Sequence, residues 1–307
     1  MRLRLLAVQL RHPGWVGSHR TAAAAHGIPV LRSPAIEAKA VERAEGEEAV
    51  EGVVELIDPD RKGQARTPGV VVHGLRLAEH EVTVVDGVRV TTALRTVCDL
   101  LMALPTHAAV VAADHVLARG LATGQQIAAF LGPEGTGAGR RNCRAARMAL
   151  ALALTDPAAG SPAETMARLH LHSAGLYPES QAPVPTDNGR LLRVDFLFRK
   201  EGLALEVEGY TWHGSRAAHQ NDILRFNELT ACSGVRRVLR FSSADVFFRP
   251  RLVLRTVEAA LAALREEGGD TTDSPIVSAD VHRTIPSHEG AIPCPSSTGS
   301  RPPTTRR

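Results

Sequence analysis

RVDFLF (Arg193 to Phe198) and LALEVE (Leu203 to Glu208) are two period-two runs separated by the polar piece RKEG. Alternation of this kind belongs to strands, whose side chains point to opposite faces in turn, and so short a polar gap fits a hairpin. Symmetric pairing about Lys200 and Glu201 sets Phe198 beside Leu203 and Asp195 opposite Glu206. Opposed residues share a face. Val194, Phe196, Phe198, Leu203, Leu205 and Val207 are therefore expected on one side, and Asp195, Glu206 and Glu208 on the other. Opposed carboxylates stand roughly 5 Å apart and destabilise a sheet unless a proton or a cation compensates them. A divalent ion held by oxygens is one remedy, and beside a phosphodiester it activates water and stabilises the leaving oxygen. A solvated face neutralised by arginines is the other.

The surrounding segments read in order as a helix (Pro162 to Ser173), strands near Tyr177–Val184, Leu191–Phe198 and Leu203–Glu208, and a helix (Arg216 to Ala231). A strand near Val235–Phe241 and a helix near Pro250–Arg265 follow. This αβββαβ order with a terminal helix predicts a small mixed sheet flanked by helices. TDPAAGSP, Thr155 to Pro162, ends an alanine and leucine helix and divides the folded chain near residue 157. Upstream, VVELI, GVVVHG and HEVTVVDGVRV read as strands, with a hairpin signal at Asp86-Gly87. Helical patterns then run from Ala93 to Leu154, which makes the first half α+β. From about Glu266 the chain is rich in Pro, Ser, Thr and Gly without apolar period and is expected to be disordered. The expected division is 1–157, 158–265 and 266–307.

Composition narrows the function less. At 307 residues and 44% hydrophobic the chain is long enough for two cores. A net charge of +3 suits a polyanionic partner without requiring one. Between Ser161 and Arg265 there are 14 Lys plus Arg against 11 Asp plus Glu, so with three acids assigned to a metal the remaining surface is basic. The four cysteines stand apart with no C-x-x-C pair, which argues against a zinc knuckle or a disulfide framework and fits a reducing cytoplasm. MRLRLLAVQL is cut off by Arg11 and His12 without a cleavage site, and no apolar run reaches membrane-spanning length, so neither a signal peptide nor a membrane span is expected.

An Asp followed after ten residues by Glu-x-Glu-Gly, with a His soon after, resembles the core of the PD-(D/E)XK restriction-endonuclease-like superfamily. More narrowly, the segment is similar to very-short-patch-repair-like nuclease domains. SPAET, Gln181, RVDFLF, LEVEGYTWHG, the helix residues Asp222, Arg225, Asn227 and Leu229, and RVLRFSSADV match in order over about Ser161 to Leu264. The resemblance implies a Mg²⁺- or Mn²⁺-dependent endonuclease acting on DNA, in repair or phage defence, with Asp195 and Glu206 as metal ligands. Glu208 then stands where the superfamily often has Lys, and serves as a third ligand or a base. An alternative is a catalytically inactive, DNA-binding regulator that retains the fold. Val235-Arg236 replaces the Gly-Trp usual in relatives.

Glu164 carries two readings. Ser161 and Glu164 form an S-x-x-E capping box with Pro162 at the first helical position, while the resemblance leans the same Glu into the metal site. His213, Arg225 and Gln181 are candidate DNA or phosphate contacts, His213 also being a proton carrier by its ordinary pKa. Arg225 is equally placed, one turn after Asp222, for a helix ion pair.

SHRTAAAAHGIP, VVVHGL and VTTALRTVCDLL resemble AbiEi-type antitoxin and transcriptional-regulator proteins over roughly Gly17 to Leu154. Relatives often begin with a winged helix, for which the residues before Ser18 are too few. The resemblance implies a regulatory role and leaves a homodimer or a toxin-like partner open. Arg95 and Asp99, four apart, are expected to pair on a helix whose stripe is Leu94, Val97, Cys98 and Leu101. Arg140, Arg144 and Arg147 share a helix face, read as a solvated basic surface or a phosphate track. GPEGTGAG is not a Walker loop, because no G-K-[ST] follows.

Overall fold

The structure, a computed structural model, describes residues 1–31, 53–60, 63–131, 140–186, 188–209 and 216–268. The first half runs α1 (Arg2–Arg11), β1 (Val16–Gly17), α2 (His19–Ala25), β2 (Val54–Asp58), β3 (Gly63–Thr67), β4 (Val70–Gly74), β5 (Val82–Val85) and β6 (Val88–Thr91). Helices α3 (Ala93–Ala103), α4 (Thr106–Ala118), α5 (Gly124–Leu131) and α6 (Arg140–Ala153) follow. Asp86 and Gly87 have φ of 50° and 80°, the left-handed pair that a two-residue hairpin turn needs, and they set Val85 opposite Val88. The six strands form one mixed sheet in the order β3-β4-β2-β1-β6-β5.

Thr92 caps α3 by accepting the Arg95 amide, and the expected Arg95–Asp99 pair forms inside the protein at 3.0 Å. Val97, Cys98 and Leu101 are buried on that helix, as their spacing predicts. Arg147 of α6 is exposed, while the side chains of Arg140 and Arg144 and the segment GPEGTG lie outside the described residues.

The second half runs α7 (Pro162–Ser173), β7 (Glu179–Pro185), β8 (Leu191–Phe198), β9 (Leu203–Glu208), α8 (Arg216–Ala231), β10 (Arg237–Ser242), α9 (Ser243–Phe248) and α10 (Pro250–Gly268). The sheet order is β10-β9-β8-β7, with β10 parallel to β9 and the other neighbours antiparallel. A mixed sheet flanked by helices is thus present. The short α9 was not foreseen: Ser242 and Asp245 form a reciprocal capping box that starts it immediately after β10. Helix α10 continues through Glu266 and Glu267, and Glu267 pairs with Arg236. The rest of the segment expected to be disordered, 269–307, lies outside the described residues.

The sheet has two apolar sides. Phe196, Phe198, Leu203 and Leu205 pack with Leu169 and Leu171 of α7, in a core that continues into Val97, Leu101 and Val110 of the first half. Ala182, Val184, Leu192, Val194, Leu197 and Ala204 form the other side, with Leu229 of α8 and Cys232 just after it. A fully buried Leu or Phe contributes about 1.5–3 kcal/mol, so the continuous core ties the described parts of both halves together. Met1–Asp270 cluster as one compact unit. A buried polar network reinforces the join: Asp114 of α4 accepts from Arg168 (2.8 Å), Thr165 (2.9 Å) and the Asp156 amide (2.8 Å).

Val194 departs from the expected face, since it packs with Leu192 and Leu197 and not with Phe196. The cause lies across the ladder. Gln181 has φ of 48°, and the β7–β8 register passes from Ser180↔Phe196 to Ala182↔Val194 on either side of the Gln181–Asp195 level. A left-handed residue breaks the pleat, so period-two alternation loses step there.

Candidate metal and phosphate site

The kink turns the Asp195 carboxylate toward groups that a regular ladder would not offer. The β8–β9 register holds from Phe198↔Leu203 to Phe196↔Leu205. Beyond it, Asp195 Oδ2 accepts the Val207 amide at 2.7 Å, a side chain satisfying a strand donor. Its other oxygen accepts from Gln181 Nε2 at 3.1 Å, and the same amide nitrogen donates to Glu164 Oε2 at 2.7 Å.

Glu164 completes half of the capping box and turns its carboxylate toward Gln181. Ser161 Oγ accepts the Glu164 amide at 3.2 Å, which caps α7, yet the carboxylate does not return to Ser161. It accepts the Gly160 amide at 2.8 Å and faces Gln181. A Cβ at Gly160 would stand 3.1 Å from Glu164 Oε1, so a larger residue there would press on the carboxylate.

Burial pushes the Asp195 carboxyl up to about 6; the Val207 amide opposes this, and the neighbouring Glu164 and Glu206 carboxylates add to it. Among the described residues no Arg or Lys forms an ion pair with Asp195 or Glu164. Glu206 differs. Arg225 of α8 reaches both of its oxygens, at 3.1 and 3.3 Å, and also donates to the Arg193 carbonyl. Burial raises the Glu206 carboxyl, and the Arg225 hydrogen bonds and charge act against that rise. Glu208 is exposed and bound by Arg240, which also donates to Asp222 at 2.8 Å and lies 5.2 Å from the centre of the Phe226 ring.

Glu164, Gln181, Asp195, Glu206 and Arg225 are therefore neighbours, and Glu208 stands beyond them in the Arg240 network. His213 lies outside the described residues. Asp195 with its neighbours Glu164 and Glu206 offers carboxylate oxygens, of which Arg225 neutralises those of Glu206, and oxygen ligands of this kind fit a hard divalent cation. The same three carboxylates do not gather to ligand spacing while Arg225 holds Glu206. Among the described residues, a different trio has all its ligand atoms within 4.8 Å of one another: His19, Glu55 and His73.

Sequence reasoning passed over Arg240 and that trio. Parallel pairing of β10 with β9 sets Arg240 opposite Glu206, but parallel register is fixed by a long crossover and cannot be counted from a loop. His19, Glu55 and His73 come from three segments, and the neighbouring pairings in the first sheet, β1 with β2 and β2 with β4, carry them together.

No family model matches the chain, and no solved structure matches it. Two curated proteins of Mycobacterium tuberculosis are similar to part of it: Uncharacterized protein MT2308 (strain CDC 1551 / Oshkosh) and Uncharacterized protein Rv2248 (strain ATCC 25618 / H37Rv). Each is 39% identical over 92 residues, which is 30% of this chain and 33% of the relative. The chain thus spans about a third of the length of the curated relatives it matches. Among the described residues, no helix is long and apolar enough to cross a membrane.

Proposed function

We propose that the second sheet carries a restriction-endonuclease-like site that hydrolyses DNA phosphodiester bonds with Mg²⁺ or Mn²⁺. The observation that carries this reading is the half-buried Asp195, set between Glu164 and Glu206 with no cationic side chain of its own among the described residues. Asp195 and Glu206 would hold the metal through oxygens, with Glu164 completing the set. A cation held there would polarise a phosphate oxygen and lower the pKa of a bound water. Arg225, once off Glu206, offers a planar fork suited to a phosphate. Gln181 holds Glu164 and Asp195 in fixed relation, and Glu208 supplies the outer carboxylate that takes a proton from the attacking water. Arg193, two residues before Asp195 on β8, is exposed and adds positive charge near the site.

The test is plasmid nicking by the purified protein in Mg²⁺ or Mn²⁺, beside Asp195→Asn and Glu206→Gln. Metal-dependent nicking by the parent and its loss in both variants is the expected result; equal nicking by all three, or none by the parent, counts against the reading.

A second reading is a DNA-binding regulator, antitoxin-like, without catalysis. It is favoured by the arginines that already neutralise Glu206 and Glu208, and by Glu208 in the usual Lys position. DNA retention that persists in EDTA and in Glu206→Ala, without nicking by the parent, supports it.

A further inference from the structure

The first sheet holds a cluster unrelated to the acid site. His19 opens α2, Glu55 lies on β2 and His73 on β4, and one ligand atom from each lies within 4.8 Å of the other two. The two imidazole rings stack with centroids 4.0 Å apart. The β2–β4 register pairs Ile57 with His73, and Glu55, two residues from Ile57, shares its face. The Ser18 amide bonds the Glu55 carbonyl at 2.9 Å and brings His19 over the same strand.

Two features are unexplained by packing. His19 is buried with φ of 47°, a backbone conformation that costs a non-glycine residue on the order of 1–3 kcal/mol. The Nε2 atom of His73 is buried and has no hydrogen-bond partner among the described residues, which is itself costly. The remaining ring nitrogens are positioned by outer groups: His19 Nδ1 is 3.0 Å from Ser18 Oγ, and His73 Nδ1 is 3.4 Å from Gln64 Nε2. A side-chain partner on the second nitrogen is how metal-binding histidines are oriented, and reversal of the Gln64 amide presents an acceptor to Nδ1–H. Among the described residues the Glu55 carboxylate is hydrogen-bonded by Arg20, at 3.3 Å and, through its backbone amide, 3.4 Å, both long contacts on a half-exposed arginine.

We infer that His19, Glu55 and His73 form a binding site for a divalent transition metal, of which Zn²⁺ is the expected occupant. Two imidazoles and one carboxylate select a borderline-soft ion over Mg²⁺, so this site and the acid site take different metals. Ligands at Zn–N distances of about 2.0–2.1 Å in a tetrahedron lie about 3.3 Å apart, so the cluster needs to close by up to about 1.5 Å. Three protein ligands leave a fourth position for water or an external donor.

The test uses the full chain, purified with its folding checked by circular dichroism and titrated with Co²⁺ and then Zn²⁺. One equivalent of Co²⁺ should give the visible bands of a tetrahedral site, displaced by Zn²⁺, and Zn²⁺ should raise the melting temperature. His73→Gln and Glu55→Gln should lose the bands, Asp195→Asn should keep them, and Gln64→Ala should weaken affinity by roughly 10–100-fold. Absence of tetrahedral bands in the folded parent overturns the inference, and so do bands that survive unchanged in a folded His73→Gln. If His73→Gln does not fold, Gln64→Ala on the exposed strand β3 decides: unchanged affinity there overturns the site.

Discussion

Arg225 holds both carboxylate oxygens of Glu206, while Asp195, with Glu206 close enough to raise its pKa, is held among the described residues by a side-chain amide and a backbone N–H. The same sheet thus presents one neutralised acid and one under-compensated acid side by side. Under the proposed function, a cation would take the place of that arginine.

Removing the arginine should separate metal binding from phosphate binding. Arg225→Ala frees Glu206 from a half-exposed ion pair worth up to about 1 kcal/mol, so Mn²⁺ should bind roughly two- to fivefold more tightly. Nicking should nonetheless fall on the order of 100-fold, because a phosphate donor is gone. Calorimetric Mn²⁺ titration beside plasmid nicking measures both, and a parallel loss of the two would refute the exchange.

Asp195→Asn should stabilise the protein in EDTA while abolishing metal-dependent nicking. The Asn carbonyl still accepts the Val207 amide, and the repulsion from Glu164 and Glu206 disappears. The pH dependence follows from the sign of the shift. Asp195 is raised from 3.8 to about 6, so the folded state binds its proton more tightly than the unfolded state does. Its contribution is therefore fully present below pH about 4 and is lost as pH rises through about 6. The stability gain of Asp195→Asn over the parent should grow between pH 4 and 6 and level off above, at up to about 3 kcal/mol. Thermal denaturation in EDTA across that range checks it.

Breaking the Asp114–Arg168 network should cost more than any surface change. Both residues are nearly inaccessible, and Asp114→Ala leaves the guanidinium to the Leu154 carbonyl and to the Asp156 carboxylate 3.8 Å away, for a loss of about 3–5 kcal/mol. Asp114→Leu combined with Arg168→Met should recover most of that loss, because no buried charge is left unpaired. Urea denaturation of the single and double variants gives the cycle.

Gly160→Ala should act through Glu164 and not through the helix. The added methyl would crowd both Glu164 oxygens, at 3.1 and 3.2 Å, and push the carboxylate off the Gly160 amide. A loss of about 1 kcal/mol is expected, with weaker Mn²⁺ binding, whereas Ser161→Ala should cost similar stability and leave Mn²⁺ affinity largely intact.

The short-range features were legible in the sequence because short-range rules set them. The Asp86-Gly87 hairpin, the Ser161 cap and the RVDFLF–LALEVE pairing all depend on residues a few positions apart. So does the nearness of Asp195 to Glu206. What the sequence could not carry was the kink at Gln181, a left-handed residue where no glycine announces one, which moves Val194 to the other core and gives Asp195 the Val207 amide. Nor could it assign Arg225 to Glu206, Arg240 to Glu208, or His73 to His19, since each pairing depends on a crossover or a sheet order that loop length does not fix. Local chemistry determined which carboxylates would meet, and only the tertiary structure decided which of them an arginine would neutralise.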